Sequence, residues 1–309
     1  MLFRSQRWLS CFFAVACIFA SFGMGNMTQA NSIAVALKKS FKFEPSVTGM
    51  ILAIIVGLII LGGVQRISQV TAKIVPFMTI FYVAGGLVVI MAHITRIPDV
   101  FAKIILGAFN LRAVSGGGAG IVMSSAIKYG IARGIFSNEA GLGSSPIVHA
   151  ASNEKEPVIQ GMWGIFQVFV DTILVCSITA FCILTSGVIP EDQDGAMLSV
   201  QAFSTVFGGA GEKFVAISLS LFAFSTIIGW SYYGERCVEY LGSRKNIIIY
   251  KAFYVLFVLF GAAMKLDLVW NISDTFNGLM ALPNLIALVF LSGEVVREVQ
   301  KYFKNINDN

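Results

Sequence analysis

The sequence predicts an all-α polytopic membrane protein, and three observations lead there. The chain has 309 residues, is 56% apolar and only 13% charged, whereas a soluble chain carries about 25% charged residues. Apolar runs recur along its whole length, and the mean hydropathy is +0.79; runs of about 20 apolar residues have the length of a membrane-crossing helix. The third observation is the stretch GIARGIFSNEAGLGSSPIVHAAS, from Gly130 to Ser152. It holds glycines, serines, a proline, Arg133 and Glu139 inside otherwise apolar sequence. Irregular backbone at membrane depth survives only where it lines a cavity or is buried in protein, because lipid offers free N–H and C=O groups no partner. A small polar ligand near the bilayer centre is therefore expected.

Eight spans account for the apolar runs. They are placed at about Trp8–Leu37, Val47–Val64, Ile74–His93, Gly120–Ala151, Val158–Ser186, Phe214–Leu241, Ile247–Met264 and Phe276–Val296. The fourth is the broken one. The loop from Gly187 to Gly211 contains LSVQAFSTVFG, which reads as a short surface helix. Basic residues orient the spans, because Lys and Arg accumulate in cytoplasmic loops. Arg4, Arg7, Arg66, Lys73, Arg236, Arg244, Lys245, Arg297, Lys301 and Lys304 share one side if both termini are cytoplasmic. The acidic loop with Glu191, Asp192 and Asp194 then falls outside; Lys38, Lys39 and Lys42 fall outside too, against the rule. The N-terminus has a basic start and an apolar stretch, but no convincing A-x-A site and no polar break before Leu37, so it is read as a span and not a cleaved signal.

Several function classes drop out. The net charge of +5 sits in short loops and does not indicate nucleic acid. Cys11, Cys17, Cys176, Cys182 and Cys237 lie in apolar spans without a CxxC and read as free buried thiols. His93 and His149 have no zinc spacing. There is no phosphate loop, no HExxH and no nucleophile elbow, so the chain is not expected to be an enzyme or to carry a cofactor. No repeated pore-filter segment suggests a channel.

Three polar patches remain. In GMGNMTQANS, Gly25, Thr28 and Ser32 offer a close-packing face. Asn26 and Asn31 are either interhelical links or ligand contacts, and Gln29 is read as a site residue. In the broken region, Phe136, Ser137 and Asn138 precede Glu139-Ala140-Gly141-Leu142-Gly143. Residues 136–143 are expected to be unwound between two half-helices whose dipole ends suit a zwitterion. Pro146 suits the first turn of the second half-helix. Glu139 is either a structural partner for the break or Arg133, or an ion ligand. In FAFSTIIGWSYYGE, Ser225 and Thr226 either bond their own backbone or present hard oxygen ligands to a cation such as Na⁺. Trp230 shares a face with Thr226 at i,i+4 and offers a pocket wall. Asp171 is a further intramembrane carboxylate with no partner evident in the sequence.

The blocks GMGNMTQANSIA, GIARGIFSNEAGLGSSPIVHAA and STIIGWSYYGERCVEYL resemble the alanine or glycine:cation symporter family, the sodium:alanine symporters, over essentially the whole chain. The resemblance implies a LeuT-type inverted-repeat fold in a cell membrane. The eight spans would be its third to tenth helices, with residues 1–115 completing the first repeat and residues 116–309 forming the second. It implies substrate binding by Gln29, Phe136, Asn138, Thr226 and Trp230, beside which Ser137 is assigned from its place in the broken region, and Na⁺ binding by Ser225 and Thr226. The implied function is Na⁺- or H⁺-coupled uptake of alanine or glycine, with Na⁺ as the coupling ion. The resemblance also implies more than a hundred residues before the third helix, including a first broken helix. The alternative expectation is accordingly a truncated or split-gene remnant that does not transport alone and needs a separate chain to supply those helices.

Overall fold

The computed structural model describes residues 7–109, 117–188, 195–264 and 266–308, and these are almost entirely helical. Among the described residues, six helices are long and apolar enough to cross a membrane. They are α1 (Arg7–Phe41), α3 (Gly63–Ala92), α7 (Pro157–Ser186), α9 (Gly209–Leu241), α10 (Arg244–Ala263) and α11 (Leu266–Asn307, its apolar window within Val269–Ile306). The expected span Val47–Val64 is a shorter helix, α2 (Pro45–Ile60), of 16 residues. The expected broken span is α5 (Gly117–Asn138), an irregular turn, and the one-turn α6 (Ser145–His149). Two further helices complete the described chain: α4 (Ile97–Phe109), which the span assignment missed, and α8 (Gly195–Phe207). The expected helix in LSVQAFSTVFG is thus present, but Ala202 and Phe203 on it are fully buried, so one of its faces packs inward. The acidic residues expected in the outer loop, Glu191, Asp192 and Asp194, lie outside the described residues.

Helix ends follow local chemistry. Lys42 ends α1 in a left-handed conformation (φ 62°), with its N–H on the Lys38 carbonyl. Pro45 opens α2, where its missing N–H removes no bond. Gly187 and Gly208, both with positive φ, end α7 and α8.

The helices group into two compact units interleaved along the chain. Unit 1 comprises residues 1–75, 139–167 and 220–309; unit 2 comprises residues 76–138 and 168–219. The chain passes between them within α3 at Pro76, at the helix break, at the start of a π-helical stretch in α7 and within α9.

The core of unit 1 lies between α1, α2, α9 and α10, and includes Ile33, Val56, Ile60, Ile227, Tyr254 and Val258. Its closest approaches are made by glycine. A Cβ on Gly261 of α10 would lie 2.6 Å from the Met27 Cα and 2.9 Å from its carbonyl oxygen, so the two backbones touch. At that level α1 winds as a π-helix over Gly23–Met27. Thr28 N–H reaches the Gly23 carbonyl five residues back. Polar side chains bind the elements at this point. Asn26 Nδ2 donates to the Tyr254 carbonyl at 2.7 Å. Asn31 Nδ2 lies 3.0 Å from the Gly261 carbonyl and 2.7 Å from that of Met264. Thr28 Oγ1 pairs with Ser273 Oγ of α11 at 2.7 Å. Of the two readings open for Asn26 and Asn31, the structure thus supplies the interhelical link.

Unit 2 is centred on aromatic rings. Phe214 stacks on Phe203 at 5.1 Å and meets Phe81 at 4.5 Å between ring centroids. Gly85 lets the Phe214 ring lie directly on α3. Tyr82 hydroxyl pairs with Thr179 Oγ1 at 2.7 Å. Arg96 donates to the Thr185 and Ser186 carbonyls, each at 3.0 Å, which satisfies the end of α7.

Gly261→Ala is expected to destabilise the chain by about 1–3 kcal/mol, because the methyl meets backbone that cannot move aside. Gly278→Ala on α11, where the added Cβ meets nothing within 4 Å, is expected to be neutral or stabilising by up to about 1 kcal/mol through helix propensity. Thermal denaturation of the two variants in detergent distinguishes them.

Candidate functional site

The break between α5 and α6 is built by a short run of unusual backbone. α5 continues to Asn138, so Phe136, Ser137 and Asn138 form its last turn and are not unwound as the glycine content suggested. The irregular segment is Glu139 to Ser144. Glu139 itself is left-handed at φ 56°, and Gly141 and Gly143 follow at φ 80° and 86°. The Leu142 N–H closes a turn on the Glu139 carbonyl at 3.1 Å. Glycine is required twice over at 143: its φ is positive, and a Cβ would lie 2.7 Å from the Phe13 ring and 2.8 Å from the Asn284 amide. Pro146 sits in the first turn of α6, as expected. α6 has only five residues, too few aligned peptides to build the strong dipole end expected of a second half-helix.

The polar groups freed by the break are satisfied within unit 1. Asn284 Nδ2 of α11 donates to the Gly141 carbonyl at 2.9 Å. Glu139 Oε1 accepts the Trp230 Nε1–H at 2.7 Å, and its Oε2 accepts the Ser144 hydroxyl at 2.5 Å. Ser144 is fully buried and Trp230 is 1% exposed. In the sequence the candidate partners of Glu139 are Arg133 and the break's own N–H groups; Trp230, 91 residues away, carries no local sign of its bond to Glu139.

A cavity of about 340 Å³ adjoins this contact. Its wall includes Glu139, Ser225, Thr226, Gly229, Trp230 and Tyr233, with Ser68, Thr71 and Gln167 adding polar groups. Ser225 Oγ and Thr226 Oγ1 both donate to the Phe222 carbonyl, at 2.8 and 3.0 Å. This is the backbone bonding of an ordinary membrane helix, yet it does not exclude a ligand role. Each hydroxyl spends its one proton on Phe222 and keeps its lone pairs, which are what a hard cation needs. Ser68, Thr71 and Gln167 had drawn no notice in the sequence, since nothing local marks which face of α3 or α7 meets a cavity.

Thr226 and Trp230 therefore line one cavity, as their i,i+4 spacing suggested. Gln29 does not line it; its Nε2 donates to the Met24 carbonyl at 3.1 Å, inside the π-helical turn of α1. Phe136, Ser137 and Asn138 belong to unit 2. There the Phe136 ring lies 5.6 Å from the Arg133 guanidinium. Ser137 Oγ donates to Asp171 Oδ2 at 2.6 Å, which gives that carboxylate the partner the sequence did not reveal. Asp171 lies in the π-helical stretch Phe169–Val175. Asn138 Nδ2 lies 3.4 Å from Thr172 Oγ1.

The family model of the sodium:alanine symporter family matches residues 4–309. The chain belongs to this family. Its relatives include the sodium/alanine symporter AgcS of Methanococcus maripaludis, 45% identical over 96% of this chain and 65% of that protein. An uncharacterized transporter of Haemophilus influenzae is 43% identical over 98% of this chain and 67% of its own length. The probable sodium/glutamine symporter GlnT of Bacillus subtilis is 37% identical over 96% of this chain and 62% of its length. The chain thus spans about two thirds of the length of the curated relatives it matches. As a member of a symporter family with, among the described residues, six helices long and apolar enough to cross a membrane, it is a multi-pass membrane protein; the family's members are transporters and not enzymes.

In a variant without the native cysteines, Thr71→Cys and Thr226→Cys are expected to react with a polar thiol reagent in detergent. Ile228→Cys, fully buried in the unit 1 core, is expected to stay unlabelled until the protein is denatured. Failure of Thr71→Cys and Thr226→Cys to react before denaturation would mean that the cavity is not open to water.

Proposed function

We propose that the chain works in secondary active symport, coupling Na⁺ to the uptake of a small amino acid, alanine or glycine. The observation that carries this reading is the juxtaposition of the Ser225–Thr226 hydroxyls with Trp230 and Glu139 around one cavity beside the helix break. Hydroxyl oxygens whose protons are already committed suit Na⁺; a Trp wall and limited volume suit a small side chain. Family membership supports symport, and the names of AgcS and GlnT link sodium with alanine in one relative and with glutamine in the other. H⁺ is the other candidate coupling ion. No bond is made or broken; coupling arises because cation and amino acid jointly favour one conformation, a reciprocal linkage.

Within this reading, Ser225 and Thr226 bind the cation, and Thr226 and Trp230 bind the substrate. Gln29, Phe136 and Asn138 are assigned to substrate binding on the family resemblance, and Ser137 on its place in the broken region. The proposed architecture is the LeuT-type inverted repeat, with residues 1–115 in the first repeat, residues 116–309 in the second, the broken helix at about residues 120–151, and both termini cytoplasmic.

The test is accumulation of radiolabelled alanine, glycine and glutamine in proteoliposomes under an inward Na⁺ gradient. Alanine or glycine is expected to accumulate only with the gradient; accumulation indifferent to both Na⁺ and pH gradients would overturn symport. Thr226→Ala is expected to raise the half-saturating Na⁺ concentration by about tenfold, equivalent to about 1.4 kcal/mol, through loss of one oxygen ligand. Ser218→Ala, which removes a buried hydroxyl outside the cavity lining, is expected to leave it unchanged.

A further inference from the structure

Glu139 occupies a position that neither its chemistry nor its backbone favours. It is a carboxylate in an apolar protein, and it is left-handed at φ 56° where glycine would sit without strain. A residue kept in such a conformation is held there by its surroundings. Its two oxygens do different things. Oε2 takes the Ser144 hydroxyl and so spans the irregular turn from its first residue to its last. Oε1 takes the indole N–H of Trp230 on α9. Neither donor is charged, and the two bonds use both oxygens, so the carboxylate cannot rotate without releasing one of them.

Trp230 is fixed on its remaining sides. Gly25 lies flush against its Cβ and the start of its ring, where any Cβ would overlap. Tyr233 packs edge-on at 5.2 Å between ring centroids. Gly25 limits where the ring can go, and the bond to Glu139 selects which edge of the indole faces the break. Both residues belong to the wall of the cavity, so the orientation of Trp230 sets part of the cavity's shape.

We propose that Glu139 is the positioning residue of this cavity: its carboxylate ties the turn of the broken helix to the Trp230 indole, so that the geometry of the break dictates the orientation of the Trp230 wall. Glu139 acts through Trp230 and not as a ligand for the cation. The acceptor oxygen matters, and the negative charge does not. The part of this that concerns ligand affinity rests on the reading that the cavity takes an amino acid; the part that concerns the indole does not.

Two measurements on the full chain in detergent test it. In the first, Trp8, Trp163 and Trp270 are replaced by Phe, and the indole N–H of Trp230 is followed by NMR without added amino acid. Glu139→Ala is expected to move the resonance and speed its solvent exchange by at least about tenfold, since the bond to the acceptor oxygen is lost. Glu139→Gln keeps an acceptor oxygen and is expected to retain slow exchange. An unchanged resonance in Glu139→Ala, or fast exchange in Glu139→Gln, overturns the proposal, and the Gln variant decides the matter alone if the Ala variant does not fold.

In the second, alanine binding in NaCl is measured by calorimetry. Glu139→Ala is expected to weaken it by at least about tenfold, and Glu139→Gln by less than about threefold. In a Trp230→Phe background, which keeps a ring but has no N–H, the further loss on Glu139→Ala is expected to shrink below about twofold, the non-additivity of residues that act through one bond. Equal losses in both backgrounds, or a Gln variant as weak as the Ala variant, would make Glu139 a direct ligand and overturn the positioning role. If no variant binds alanine, the proposed substrate fails, and the indole measurement still decides the role of Glu139.

Discussion

Everything irregular in this chain is governed by one constraint: lipid has no hydrogen bonds to give. A backbone N–H or C=O released from a helix inside the membrane must find a partner in the protein, because leaving it bare costs several kcal/mol. The break at residues 139–144 shows how such groups find partners, and how side chains reinforce it. The Leu142 N–H returns to Glu139, the Gly141 carbonyl takes the Asn284 amide, and the Glu139 carboxylate takes Trp230 and Ser144. Asn284 and Trp230 belong to different helices, so α9 and α11 are both fastened to the break. A site for a small polar ligand thus comes with its own scaffold, since the groups that permit the break also fix the helices around it.

The same logic explains the polar patch of α1. A π-helical turn shifts the N–H of Thr28 onto Gly23 and disturbs the regular ladder, and π turns recur at functional positions for that reason. Here Gln29 serves the Met24 carbonyl, while Tyr254 hydroxyl lies 2.9 Å from the Ile227 carbonyl and 3.3 Å from that of Gly25. Glycines carry the complementary half of the task. Gly25 admits the Trp230 ring and Gly261 admits the Met27 backbone. Without a hydrophobic force between helices in lipid, such close contacts supply the packing attraction. The polar residues and the small residues of GMGNMTQANS are therefore two parts of one joint between α1, α9, α10 and α11.

How much of this could be read in the sequence differs by feature. The all-helical class was plain, because apolar runs of membrane length leave few alternatives. The location of the break was equally plain in Gly141, Gly143 and Pro146, whose backbone preferences are local. Its first residue was not: Phe136 to Asn138 stay helical, and the turn begins at Glu139, a residue type that seldom adopts positive φ. α4 escaped notice because its 13 residues are too short to register as a span. In the site, Thr226 and Trp230 could be paired by i,i+4 spacing. Ser68, Thr71 and Gln167 could not be joined to them, nor Glu139 to Trp230 or Ser137 to Asp171, since each of these pairs is distant in sequence. The carboxylates stood out as costly residues; their partners are a property of the fold.

The behaviour of Ser225 and Thr226 shows why local rules alone leave such a site undecided. On local grounds the two readings of a hydroxyl in a membrane helix compete: it bonds its own backbone, or it serves a ligand. The geometry makes them compatible. Both hydroxyls bond Phe222, and both line the cavity. A free hydroxyl in an apolar cavity would be unsatisfied and could turn either its proton or its lone pairs outward. Committing the proton to Phe222 removes the first choice, so the oxygens present only acceptor character to whatever enters. The ordinary accommodation of Ser and Thr to a helix thus leaves acceptor oxygens at the cavity wall, which suits the proposed cation better than an anion. Glu139 follows the same pattern: its carboxylate bonds Trp230 and Ser144, and it lines the same cavity.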